Sequence, residues 1–188
     1  MAEGARDLRW LVLIYRVPSE PSKARVAVWR DLKRVGALYL QQAACILPVL
    51  GDVPSSVEKI RTKIAEFGGS VTWFEVGPLP DDQDKEIIAR FHELASKEYA
   101  EIVEECETKF AKEIEFERFR ENYTFEEVEE IRQDLEKIKR WLSKVEARDW
   151  FDGPGRTEAV ERIAWCEELL DAFEEEVFRR TGGTDPIS

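Results

Sequence analysis

The sequence predicts an α+β protein, with a small sheet-and-helix domain over residues 1–80 and an acidic helical domain over residues 81–188. Three observations carry this division. Up to Pro80, short apolar runs alternate with amphipathic segments. Beyond it, apolar residues recur at helical spacing almost to the end. The charge divides at the same place: residues 1–80 hold 11 Lys/Arg against 8 Asp/Glu, and residues 81–188 hold 17 against 32.

Trp10–Val17 is a continuous apolar run of strand length, as in a strand central to its sheet, and Pro18 closes it. From Ser22 the period becomes helical, with Val28, Trp29, Leu32 and Val35 on one face and Gly36 at the stop. Two apolar runs, Ala37–Gln41 and Ala43–Val49, predict a hairpin. Pro54 and Ser55 then open a second helix, and Ser55 with Glu58 has capping-box spacing. Val57, Ile60, Ile64 and Phe67 form its stripe, and Gly68-Gly69 ends it. Ser70–Val76, rich in Val, Thr, Trp and Phe, is the last strand. The order βαββαβ is the ferredoxin-like arrangement.

Residues from Asp84 to about Glu117 form one long helical pattern, with Ile88, Phe91, Ala95, Ile102, Cys106, Phe110 and Ile114 as its stripe. Asn122-Tyr123 breaks it, and Thr124 with Glu127 repeats the capping-box spacing. Val128, Ile131, Leu135, Ile138, Leu142 and Val145 then form a heptad seam. Gly153-Pro154-Gly155 is a turn, and Val160, Ile163, Cys166, Leu170, Phe173 and Val177 form a third stripe before Gly182. Short connections between such helices predict a long antiparallel hairpin or three-helix bundle. The tail from Thr184 is expected to be disordered.

Composition narrows the function classes. Cys45, Cys106 and Cys166 are widely spaced and odd in number, so neither a disulfide framework nor a zinc site is indicated, and a cytoplasmic location is expected. The apolar run from Trp10 to Tyr15 is far shorter than the roughly 20 residues that span a bilayer. No signal-peptide pattern precedes it. At net charge -12 the chain repels nucleic acid at long range, so any DNA contact needs a local basic face.

The first helix offers one. At 100° per residue Lys23, Ala27, Arg30 and Arg34 share a stripe opposite Leu32. The ridge is either a solvated face or a contact for a phosphate or oxyanion. Arg25 falls near Trp29 and Leu32, where its guanidinium either snorkels or pairs with a carboxylate, or else belongs to an anion or partner site. In the helical half Glu98, Glu101, Glu104 and Glu105 share a face, which is a solvated acidic surface, a dock for a basic partner or a metal site. The lone His92 has no Glu-x-x-His spacing, and no phosphate-cradling glycine loop occurs. No metal, cofactor or catalytic constellation is therefore expected.

Several strings carry a family resemblance. Arg25-Val26-Ala27-Val28-Trp29-Arg30 with Leu32-Lys33, then Gly36-Ala37-Leu38 and Leu47-Pro48, resemble the N-terminal domain of the ChrB chromate-resistance family. Ala147-Arg148-Asp149-Trp150-Phe151 and Gly153-Pro154-Gly155-Arg156 resemble its helical extension. The resemblance implies a chromate-responsive transcriptional regulator that binds DNA and responds to an oxyanion. Longer members add a second domain, and a sensing function lodged there does not carry over. The βαββαβ half is also similar to CRISPR adaptation nucleases and to the dimerisation domain of phenylacetate-operon repressors. The nucleases place an acidic metal ligand at the end of the first strand, where this chain has Tyr15-Arg16-Val17-Pro18. An arginine repels Mg²⁺, so nuclease chemistry is not expected; what the resemblance still implies is the scaffold and a sheet-mediated homodimer. Arg16, Lys23, Arg25, Arg30 and Arg34 are thus the candidate nucleic-acid or anion residues.

Overall fold

A computed structural model describes residues 8–20 and 22–182. The predicted disordered tail from Thr184 lies outside the described residues. The chain is α+β and its described residues divide into two units: those up to His92 together with Ala147–Phe151, and Glu93–Glu146 together with those from Asp152 onward.

The first unit contains β1 (Trp10–Arg16), α1 (Ser22–Arg34), β2 (Leu38–Gln41), β3 (Ala44–Pro48), α2 (Val53–Glu66), β4 (Ser70–Val76) and the beginning of α3 (Asp81–Glu105). The sheet order is β2-β3-β1-β4, and every neighbouring pair is antiparallel. The apolar β1 is central, with Leu13 opposite Cys45 on one side and Trp73 on the other. Because strand side chains alternate, Leu11 and Leu13 turn to one face with Cys45 and Leu47. There Val28 and Leu32 of α1 and Val57, Ile60 and Ile64 of α2 cover them. On the other face Trp10, Leu38 and Ile46 pack with Phe91 of α3 and with Trp150 and Phe151. The Trp10 ring is stacked 5.9 Å from Phe91, and its buried Nε1–H donates to Asp84 Oδ1 at 2.7 Å.

α2 starts differently from its prediction. Its N-cap is Asp52, no side chain caps it, and Pro54 occupies the first turn. Proline is pre-set for that position, so the helix begins ahead of Ser55. Ser55 Oγ then donates to the Asp52 carbonyl at 2.9 Å, and Glu58 pairs with Arg61. At its far end Gly69 is fixed by space: a Cβ there would lie 2.4 Å from the Arg16 carbonyl oxygen.

The second unit contains the rest of α3, a π-helical turn (Cys106–Phe110), α4 (Ala111–Phe119), α5 (Phe125–Glu146) and α6 (Arg156–Arg180). The long predicted helix is therefore interrupted at Cys106, where one extra residue is accommodated. Val128, Ile131, Leu135, Ile138 and Val145 are buried as the heptad spacing predicts, and Leu142 packs on them half-buried. On α6 Ala159 is buried, whereas Val160 is 43 % exposed, so the third stripe starts one residue earlier than predicted. Thr124 Oγ1 accepts the Glu127 N–H at 3.2 Å, which forms one half of that capping box. The Glu127 carboxylate accepts from Asn122 instead.

Two measurements test this packing. Leu135→Asp places an unpaired charge in the helical core and is expected to cost about 3–5 kcal/mol; unchanged helical circular dichroism and melting temperature would remove Leu135 from the seam. Gly69→Ala must displace the Arg16 carbonyl or Ile64 and is expected to lose about 1–3 kcal/mol in denaturant unfolding, where a neutral result would show that the strand end yields at no cost.

Candidate nucleic-acid and anion interface

α1 buries Ala24, Val28 and Leu32, a row at four-residue steps. That row decides where the cations point. Lys23, Arg30 and Arg34 are exposed, and Ala27 between them is half-buried. Arg25 does not lie among apolar side chains: it begins a neighbouring exposed row with Trp29, which is 48 % exposed, and Lys33. The Lys33 ammonium sits 5.6 Å from the Trp29 ring centroid. Arg16 is also exposed, at the last position of β1 opposite Ser70 of β4.

The five candidates differ in how available they are. Arg34 Nη1 donates to Asp31 Oδ1 at 2.8 Å, and Lys63 of α2 donates to Asp31 Oδ2 at 2.6 Å. Arg34, Lys59 and Lys63, with Ser56, line a groove of about 470 Å³ between α1 and α2 whose acidic member is Asp31. An anion entering it competes with Asp31 for two of its cations. From Lys23 to Arg34 the helix rises roughly 16 Å, at 1.5 Å per residue. That span exceeds a single small oxyanion and suits successive phosphates of a polymer. The fold thus brings Lys23, Arg30 and Arg34 onto one helix but does not converge them on a point.

The predicted carboxylate face behaves as a surface. Glu101 and Glu104 are exposed, and Glu105 pairs with Lys109 at 2.5 Å. A tighter acidic cluster lies elsewhere: oxygens of Glu113, Glu117 and Glu127 all lie within 4.8 Å of one another. Glu117 is 1 % exposed and accepts from Arg120 at 3.1 Å and Asn122 at 2.6 Å, so its oxygens are already engaged. The trio has the donor chemistry for a divalent cation, but Arg120 already offsets its central charge and Asn122 occupies its other oxygen. Periodicity held a clue, since Glu117 continues the spacing of Phe110 and Ile114, where an apolar residue is expected. Glu127 could not be added by periodicity, because it belongs to α5 and reaches the cluster across the turn after Phe119.

Burial raises the Glu127 carboxyl above its ordinary 4.5, and Glu117, Glu130 and Glu113 add to the rise, opposed by the Asn122 hydrogen bond. His92 has a structural post: its Nε2–H donates to the Phe151 carbonyl at 2.9 Å and holds the 147–151 segment in the first unit. Tyr15 and Tyr39 share a 2.9 Å hydroxyl hydrogen bond, and burial pushes the nearby Cys45 thiol up to about 12.

Glu127→Gln tests the acidic cluster. The native fold holds that proton more firmly than the unfolded chain does, so Glu127 favours folding near and below pH 4.5 and opposes it as pH rises through the raised value. The variant is expected to melt about 1–3 °C higher at pH 7 and to match the parent near pH 4. A lower melting temperature at pH 7 would show that the hydrogen bond from Asn122 to the Glu127 carboxylate outweighs the repulsion.

The family model described as "Protein ChrB, N-terminal" matches residues 25–184. A curated relative, "Protein ChrB" of Cupriavidus metallidurans (strain ATCC 43123 / DSM 2839 / NBRC 102507 / CH34), is 34 % identical over 95 residues, which is 50 % of this chain and 29 % of that protein. No solved structure gives a significant match.

Proposed function

The chain belongs to the family of ChrB N-terminal domains, and on that premise we propose that it is a non-enzymatic regulatory protein of chromate resistance whose first helix contacts DNA. The carrying observation is the cationic display on α1: Lys23 and Arg30 share one exposed stripe and Arg25 is exposed in a separate row, along a helix whose sequence holds five cations and a single acid, Asp31. Their axial spread favours a phosphate backbone over a lone chromate-like oxyanion. The small oxyanion is the other ligand in this reading, and the α1–α2 groove, lined by Arg34, Lys59 and Lys63, is where it would sit.

A ferredoxin-like identity for the sheet belongs to the same proposal. Its strand order, and the two helices covering one face, favour it. So does a cytoplasmic location, which the unpaired cysteines favour. No helix among the described residues is long and apolar enough to cross a membrane. A homodimer formed through the sheet would double the cationic surface. Its supporting feature is the exposure of Ile14 and Phe74, at 49 % and 42 %, on the face opposite α1 and α2.

A second reading makes the helical half a docking module for a protein partner. The observation favouring it is the exposure of Phe116, Phe119 and Phe178, at 51 %, 85 % and 58 %, in an otherwise acidic unit.

A salt titration of DNA binding separates the two readings. Three phosphate contacts give a log–log slope of roughly -2 to -3. Replacing Lys23, Arg30 and Arg34 together by Gln is expected to weaken binding and flatten that slope by about the same amount. Equal affinity and equal slope in parent and variant would leave the ridge as a solvated face and transfer preference to protein docking.

A further inference from the structure

The two edges of the sheet are built differently. β2 is four residues long, its register with β3 is irregular between Tyr39 and Gln41, and Arg90 Nη2 donates to the Tyr39 carbonyl at 2.8 Å. Shortness, irregularity and a covering cation are the devices by which an edge strand avoids pairing with another chain. β4 has none of them. It is seven residues long, pairs with β1 in an unbroken register from Ser70 to Val76, and has no strand on its other side among the described residues. It contains neither Pro nor Lys.

The side chains of β4 leave both faces of this edge apolar. Trp73 and Phe74 are 40 % and 42 % exposed and, as neighbours in a strand, point to opposite faces. Trp73 stands on the α2 face, where the Arg61 guanidinium lies 4.9 Å from its ring centroid. Phe74 shares the other face with Thr72, whose partner across β1 is the exposed Ile14. Charge does not guard the edge either. Glu75, the one charged residue of β4, pairs with Arg9 at 2.9 Å, and on the adjoining flank of α2 Arg61 pairs with Glu58. The long-range repulsion expected at net charge -12 is screened within about 8 Å at physiological salt, so these local pairs govern close approach.

We propose that β4 is the interface of a homodimer, in which two copies pair their β4 strands antiparallel about a two-fold axis at Trp73 and join their sheets into one. The inference rests on the homodimer of the proposed function and assigns its surface. The strand is complementary to itself in that register. Ser70 meets Val76 of the second copy, Val71 meets Glu75, Thr72 meets Phe74, and the two Trp73 rings meet at the axis. No two like charges stand opposite each other. On the face opposite α2, Phe74 of each copy covers Thr72 of the other beside Ile14, so the exposed apolar groups of both copies close on one another. Main-chain hydrogen bonds along the edge and the aromatic cross-strand contact supply the affinity.

Sedimentation velocity on the full chain reads this interface. The parent is expected to be a dimer that dissociates on dilution. Thr72→Lys supplies the guard that β4 lacks and is expected to raise the dimer dissociation constant about tenfold or more, with unchanged circular dichroism. Trp73→Cys puts a thiol on the two-fold axis, where opposed Cβ atoms lie about 5 Å apart, and is expected to give an interchain disulfide on mild oxidation. Ser70→Cys is its control: the two copies of that position lie roughly 20 Å apart along the paired strands, and no bridge is expected. The native cysteines are buried and do not compete. A monomer at every soluble concentration would overturn the proposal, and is the result expected if a strand of another protein uses this edge. A dimer that withstands Thr72→Lys and bridges equally at positions 70 and 73 would also overturn it, leaving the homodimer to another surface. DNA binding is a separate readout, since a β4 dimer that ignores DNA supports this interface and removes the DNA reading alone.

Discussion

The sheet unit turns on the burial of Trp10. Its indole is the largest fully buried side chain, it sits on the central strand, and its single donor reaches a carboxylate that is itself 8 % exposed. A buried indole N–H without a partner would cost about 1–3 kcal/mol, and a buried carboxylate without one would cost more. Each group therefore requires the other, and together they fix the first turns of α3 against the sheet face that α1 and α2 do not cover. Phe91 and Phe151 complete the aromatic cluster, with ring centroids 5.3 Å apart. His92 adds a directional contact to the Phe151 carbonyl. Residues 147–151, distant in sequence, are held in the first unit by these contacts.

On the opposite sheet face the same strand governs the cationic helix. Leu11 and Leu13 demand apolar cover, and α1 supplies it with Ala24, Val28 and Leu32. Once that row faces inward, the remaining positions of α1 face outward whatever their charge. Cations in the last turn, Lys33 and Arg34, also interact favourably with the helix dipole. Fold stability alone thus accounts for cations at the C-terminal end. It does not account for Lys23, which stands in the first turn, where the dipole disfavours a positive charge. Lys23 is accordingly the residue of the ridge whose placement argues most directly for a contact outside the fold.

Much of this architecture was legible in the sequence because apolar runs and helical periodicity report burial directly. All four strands follow from short apolar or β-prone runs bounded by turn residues, and the α5 seam from its heptad spacing. What was missed has identifiable causes. Arg25 and Trp29 were placed with the apolar face because Trp29 was counted as a core residue. The buried row is set by the small Ala24, which carries little hydrophobic signal. The same substitution of a small residue for a larger neighbour explains Ala159 and Val160 on α6. The π turn is invisible to a periodic count, since one inserted residue shifts the stripe without interrupting it. The capping box at Ser55 failed because Pro54 moved the helix start, a local effect that outweighs spacing. The Glu113–Glu117–Glu127 cluster depends on which helices meet, and no spacing rule within one helix contains that information.

The charge balance limits how the proposed DNA contact could form. With a net charge of -12 its long-range field repels a polyanion, so electrostatic steering cannot accelerate encounter. Screening at physiological salt confines charge effects to about 8 Å, and within that range the local ridge governs. Arg34 is already shared with Asp31, and Asp31 also holds Lys63. Only part of the ridge's formal charge is therefore available without breaking an ion pair. Under the proposed DNA contact, binding by one copy would be weak, and useful affinity would require more than one copy to engage the same strand, so that the second contact forms at high effective concentration. A regulator built this way would be sensitive to assembly, because any change that separates copies removes the avidity without altering a single cation.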